Sequence, residues 1–268
     1  MSRISSVFFN LKQNKKKAFI PFITAGDPSL STTLQIMKRI AERGADIIEL
    51  GVPFSDPMAD GKVIQKSHER ALKNNTSLKD VIKIVNDFRM SNSKTPIILM
   101  GYLNPIENLG YENFAFMASK AGVDGVLVVD MPPEESKEFK KILKNHQIDL
   151  IFLTAPTTKS IRLERLLKLV SGFVYFVSLK GVTGAKNLDL KVITNSLIKI
   201  KQILDIPIGV GFGVKDAKTA KEIAKTADAV IVGSKIVSII ERNLENEEKM
   251  IAEIGNIASE FSNAIKDI

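Results

Sequence analysis

Apolar residues recur along this chain in short continuous runs separated by amphipathic stretches. The runs fall at 17–24, 47–50, 96–100, 125–129, 150–153, 173–178, 207–210 and 229–232. Runs of that length, apolar on both faces, predict strands covered on both sides, as strands of a parallel sheet are. Between them the apolar positions switch to spacings of three and four. Ile4, Val7, Phe8 and Leu11 predict a short opening helix. Further helices are predicted over 30–43, 63–73, 78–90, 111–120, 134–144, 160–169, 190–204, 216–225 and 247–265, with a short one opening at Gly233-Ser234. Gly44 ends the helix before it, Ser77 suits an N-cap, and Pro132-Pro133 suit a first helical turn. Residues 25–28 read as a turn, and 101–105 and 179–189 as loops.

Eight strands alternating with helices predict an α/β fold, a closed (β/α)8 TIM barrel. It carries an extra N-terminal helix and additional helices in its connecting loops, two of them between the second and third strands. An open doubly wound sheet is the competing arrangement. No linker or shift in composition cuts the chain, so one barrel domain over 1–268 is expected.

Composition narrows the function classes. The chain has 268 residues, 44% of them hydrophobic, a common size for an α/β barrel. No run is long enough to span a membrane. The apolar patch at residues 7–9 is too short for a signal peptide, so a cytoplasmic protein is expected. Without cysteine there is no disulfide, thiol nucleophile or thiolate metal ligand. The net charge is +8, but the lysines are scattered, with Lys15-Lys16-Lys17 the only tight run. No basic stripe or binding module appears, so no nucleic-acid partner is expected.

Barrel enzymes carry their chemistry at the C-terminal ends of the strands. Here those ends offer Thr24, Glu49, Asp60, Tyr102, Asn104, Asp130, Thr183 and the late glycines. His68 and His146 fall on predicted helices, so a histidine mechanism is not expected. No cluster has metal-ligand spacing. Carboxylates, hydroxyls, Tyr175 and Lys180 remain.

The central stretch runs from Glu49 to Gly61. A carboxylate inside an apolar strand is costly unless neutralised or hydrogen-bonded, and a second carboxylate, Asp60, follows in the loop. Two carboxylates in unlike surroundings can divide acid and base roles. The residues fit equally well a Glu49 paired with a core cation and an Asp60 that solvates a turn. Gly209-Val210-Gly211-Phe212-Gly213 and Gly233-Ser234 follow the seventh and eighth strands, where such barrels bind phosphate. The spacing does not fit a dinucleotide fingerprint. Gly181-Val182-Thr183-Gly184 reads as a mobile lid or as a plain connector. Lys180 leaves a Schiff-base aldolase open, and a non-catalytic protein that keeps only the fold and an interface is a further alternative.

Several ordered motifs together resemble the tryptophan synthase alpha chain family. They are residues 22–28 (FITAGDP), the stretch 49–61 (ELGVPFSDPMADG), 100–105 (MGYLNP), 130–135 (DMPPEE), 181–185 (GVTGA), 209–213 (GVGFG) and Gly233-Ser234, spread over essentially the whole chain. The resemblance implies a (β/α)8 barrel that cleaves indole-3-glycerol phosphate to indole and glyceraldehyde 3-phosphate without a cofactor. It implies Glu49 as the acid/base and Asp60 as its partner, with Thr183 orienting Asp60. Gly184, Gly213, Gly233 and Ser234 would hold the phosphate, while Phe22, Tyr102, Tyr175 and Phe212 line the pocket. It further implies an alpha2beta2 tetramer whose beta subunit carries pyridoxal phosphate and receives the indole. That partner would dock near Asp56, Asn104, Pro105, Asn108 and Pro132. The chain departs from the family pattern at Lys62, where proline is common, and at Leu179-Lys180, where an arginine often follows Ser178.

Overall fold

The computed structural model describes residues 2–167, 169–177, 190–203, 205–211 and 213–268. Thr183, Gly184, Phe212, Lys180 and the expected lid at 179–189 lie outside the described residues.

Eight parallel strands close into a barrel in sequence order, β1 (Ala18–Thr24), β2 (Ile48–Gly51), β3 (Ile97–Gly101), β4 (Gly125–Val128), β5 (Asp149–Thr154), β6 (Val174–Val177), β7 (Ile208–Gly211) and β8 (Ala229–Val232). β1 pairs with both β2 and β8, which completes the ring. The helices are α1 (Arg3–Gln13), α2 (Leu30–Glu42), α3 (Lys62–Lys73), α4 (Leu78–Arg89), α5 (Leu103–Leu109) and α6 (Tyr111–Ala121). They continue as α7 (Lys137–Asn145), α8 (Ser160–Leu167), α9 (Leu190–Ile203), α10 (Ala217–Ala224), α11 (Ser234–Arg242) and α12 (Glu247–Lys266).

Alternate strand residues feed two cores, which is why the runs are apolar throughout. Ile20, Ile47, Ile98, Leu127, Ile151, Phe173 and Ile231 fill the barrel interior. Phe19, Ile48, Leu50, Val174, Phe176 and Val230 face the helical shell. Burying one such side chain is worth about 1.5–3 kcal/mol. The N-terminal end of the barrel is sealed by α1. Its Ile4 and Phe8 join the interior cluster, with Phe8 at 5.7 Å from the Phe173 ring. Ser2 caps this helix and donates to Asp149 at 2.7 Å, and Arg3 and Arg89 both bind Asp124 at 2.7 Å.

The inserted segment between β2 and β3 is α3 followed by α4, as expected. Ser77 caps α4 in a reciprocal box with Asp80, which satisfies two otherwise orphaned N–H groups. Two elements differ from expectation. Residues 103–109, expected to begin in a loop, form the helix α5. Pro105 sits in its first turn, where a missing N–H breaks no helical bond. α7 starts at Lys137 rather than at 134, because residues 133–136 are turns, with Ser136 donating to the Pro133 carbonyl at 2.8 Å.

Candidate active site

Glu49 is the buried carboxylate of β2. It lies opposite Phe22 of β1 and Ile98 of β3 in the ladder. Only 1% of the residue is exposed, and neither carboxylate oxygen has a hydrogen-bond partner. No cation neutralises it among the described residues, so the core ion pair is not formed there. Burial, and then the charge of Asp60, push its carboxyl up to about 8. Glu49 is therefore a neutral acid at pH 7.

Gly51 lies two residues further along the strand, on the same face. A Cβ there would stand 2.7 Å from the Phe22 ring, so only glycine lets Phe22 lie across the barrel mouth. The loop after Gly51 returns to the site through several ties. The Phe54 ring stacks on Tyr102 at 5.0 Å, and the Phe54 N–H donates to His68 Nδ1 at 3.0 Å. Tyr102 donates its hydroxyl proton to Asp60 Oδ2 at 2.8 Å and accepts the Ala59 N–H at 3.1 Å. Gln65 holds the Asp60 carbonyl at 2.8 Å. Burial raises the Asp60 carboxyl, and the Tyr102 bond pulls it back down. The Tyr102 hydroxyl itself is pushed upward by burial and by the Asp60 charge.

Tyr175 of β6 is buried, and burial with the nearby Glu49 and Asp60 charges raises its hydroxyl well above the usual range. It remains a neutral phenol. A Cβ on Gly211 would fall 2.2 Å from its hydroxyl oxygen, so glycine on β7 makes room for this ring. A small cavity is lined by Phe22, Gly51, Asp60, His68, Met100, Gly101, Tyr102 and Val129. Gly213 takes a left-handed backbone (φ 77°) after β7. Gly233 caps α11 without a side-chain bond, and Ser234 is the first residue of that helix. The site of a Cβ on Gly233 lies 3.4 Å from Phe22, which sets this helix start against the pocket wall.

The structure thus brings Phe22, Glu49, Asp60, Tyr102 and Tyr175 together. Other strand-end residues are occupied elsewhere. Thr24 bonds Ser67 at 2.6 Å, and Asp130 accepts the Leu103 N–H at 2.8 Å at the start of α5. His146 caps the C-terminal end of α7. His68 is the correction. Although it lies on helix α3, its ring lines the cavity. Its place among buried Ile64, Ser67 and Ala71 on one helix face was the available signal. Met100 and Val129 also line the cavity. No group of three or more His, Cys, Asp or Glu among the described residues is placed to hold a metal.

Fold and site together define a (β/α)8-barrel enzyme whose mouth gathers a dry carboxylate on β2 and a second carboxylate on the adjoining loop. The tryptophan synthase alpha chain family profile matches residues 8–266. The chain is 56% identical over 266 residues to the tryptophan synthase alpha chain of Vesicomyosocius okutanii, covering 99% of this chain and 100% of that one. The crystal structure of tryptophan synthase subunit alpha from Legionella pneumophila superposes with a TM-score of 0.94 at 40% identity, covering all of both chains. A chain of the tryptophan synthase complex from Pyrococcus furiosus superposes with a TM-score of 0.82 at 40% identity, over 92% of this chain and 98% of that one. The chain belongs to the tryptophan synthase alpha chain family. It is a carbon–carbon lyase that cleaves indole-3-glycerol phosphate.

Proposed function

We propose that Glu49 is the acid and base of this cleavage and that Asp60 holds the indole nitrogen. The observation that carries the reading is the dry, unpartnered Glu49 carboxyl, held protonated to about pH 8. Glu49 gives its proton to indole C3, and positive charge develops on the ring nitrogen. Ionised Asp60 stabilises that charge and accepts the N–H. The Glu49 carboxylate then takes the proton of the side-chain hydroxyl adjoining the scissile bond. The C–C bond breaks, its electron pair returns to the ring, and the hydroxyl carbon becomes the aldehyde of glyceraldehyde 3-phosphate. Glu49 ends protonated, so atoms and charges balance and the step consumes no cofactor.

Phe22, Tyr102 and Tyr175 would pack against the indole, with Phe212 completing the wall. The phosphate would sit between Gly213 and the α11 start at Gly233-Ser234, where backbone N–H groups favour an anion. Gly184 would reach it, and Thr183 would orient Asp60. The expected pH profile of kcat falls above about pH 8, as Glu49 loses its proton. Replacing Glu49 by glutamine should cost ~10²–10⁴-fold in indole release while circular dichroism stays unchanged. Near-normal turnover in a folded Glu49→Gln chain would remove this mechanism.

The same reading places a pyridoxal-phosphate beta subunit on the mouth face, in an alpha2beta2 tetramer that receives the indole. Asp56, Asn104, Pro105, Asn108 and Pro132 lie on the segments that follow the strands there. Met58, in the loop after β2, leaves 79% of itself in solvent. Mixing the chain with its beta subunit should give association in the ultracentrifuge and faster cleavage. The cytoplasm is the proposed compartment, since a charged phosphate ester does not cross a bilayer unaided.

A further inference from the structure

Helix α3 starts two residues after Asp60, at Lys62, and carries His68 in its second turn. Only 3% of His68 is exposed, and it shares the buried face of the helix with Ile64, Ser67 and Ala71. An imidazole in such a place needs partners. Its Nδ1 accepts the Phe54 N–H at 3.0 Å. A ring nitrogen that accepts carries no proton, so the neutral ring bears its proton on Nε2. Burial holds the ring pKa down to about 4, which keeps it neutral through the working pH range. Nε2 faces Asp60 Oδ2 at 3.9 Å. That is the oxygen to which Tyr102 already donates at 2.8 Å. An approach of about 1 Å would make Nε2–H a second donor at normal length.

We propose that His68 is a positioning residue for Asp60, a neutral imidazole that senses the start of the loop through the Phe54 N–H and presents Nε2–H to the carboxylate at its end. This rests on the assignment of Asp60 to the indole nitrogen. A neutral donor is suited to the task. It orients the carboxylate and favours its ionised form without cancelling the charge that the indole nitrogen requires. A lysine or arginine would instead form an ion pair with Asp60. One ring joins the two ends of the loop, so a shift at Phe54 is passed to the carboxylate. The other titratable groups facing Asp60 are Glu49 from β2, Tyr102 from the end of β3 and Tyr175 from β6.

Two near-isosteric variants separate the functions of the ring nitrogens. In His68→Asn the side-chain oxygen takes the Nδ1 position and keeps the Phe54 bond, but no donor from position 68 reaches Asp60, which keeps only the Tyr102 hydroxyl. In His68→Gln the amide N–H takes the Nε2 position and keeps the donor. The full chain should be assayed for indole release with both variants, alongside Asp60→Asn, with circular dichroism to confirm folding. His68→Asn should lose about ten-fold in kcat, with KM for indole-3-glycerol phosphate changed by less than about three-fold. The acid limb of its kcat/KM profile should move to higher pH, because Asp60 has lost a donor. His68→Gln should recover most of the rate and the wild-type acid limb. Equal rates in the two variants, or an unmoved acid limb in His68→Asn, overturn the proposal if Asp60→Asn is inactive. Wild-type turnover in Asp60→Asn overturns the Asp60 assignment itself, and this proposal with it.

Discussion

Replacing Glu49 by glutamine should make the protein more stable at alkaline pH, by an amount that the burial sets. The folded chain holds the Glu49 proton to about pH 8, whereas the ordinary value is 4.5. The folded-state pKa is the higher one, so the stability that this group contributes is fully present below pH 4.5. It is lost as pH rises towards about 8, and beyond that no more is lost. Two and a half pH units of that window lie above pH 5.5. At about 1.4 kcal/mol per unit, wild type should lose about 3 kcal/mol that Glu49→Gln keeps. A kcal/mol is worth roughly 2–3 °C in Tm for a chain of this size, so the two melting curves should separate by about 6–9 °C between pH 5.5 and 9. The assay is paired thermal melts followed by circular dichroism across that range. Parallel Tm curves would mean that Glu49 ionises freely in the fold. The dry-acid reasoning would then be wrong, whatever the variant does to turnover.

Tyr102→Phe removes the hydroxyl that donates to Asp60 at 2.8 Å. The Asp60 carboxyl should rise further, moving the acid limb of kcat/KM upward and costing about ten-fold at pH 7, as a pH profile would show. Gly211→Ala puts a methyl where the Tyr175 hydroxyl stands, only 2.2 Å away. It should cost about 1–3 kcal/mol in urea unfolding and raise KM as Tyr175 is displaced. Glycerol phosphate at one hundred times its Kd should stabilise wild type by about 2.7 kcal/mol. Ser234→Asp, at the start of α11, should abolish that gain in the same melt, and equal gains would place the phosphate elsewhere.

The barrel is legible in the sequence because parallel strands are dry on both faces and need no partner to be recognised. The runs at 47–50 and 229–232 became β2 and β8 within a residue. Loops that turn helical are harder to read. Asn104-Pro105 look like turn residues in isolation, yet Pro105 is harmless in the first turn of α5. Glu49 stands out as the charge in an apolar run, and Asp60 through its place in the loop that follows. His68 did not stand out. Helical periodicity shows that a residue faces inward, but not which loop the packed helix meets. Only the folded return of residues 52–60 brings Phe54 and Asp60 to the two sides of that ring.

The side chains that fill the barrel, with α1 sealed beneath them, make the mouth a blind pocket. Ile4 reaches so far in that a methyl on Gly125 would touch its Cδ1 at 3.0 Å, and the Phe8 ring packs tilted against Phe173. Nothing can thread the barrel from end to end, so a molecule released from the strand ends leaves by the rim through which it came. Traffic to another protein must therefore be arranged at that rim, while changes on the α1 side alter how firmly the barrel is shut and leave the route of its products alone.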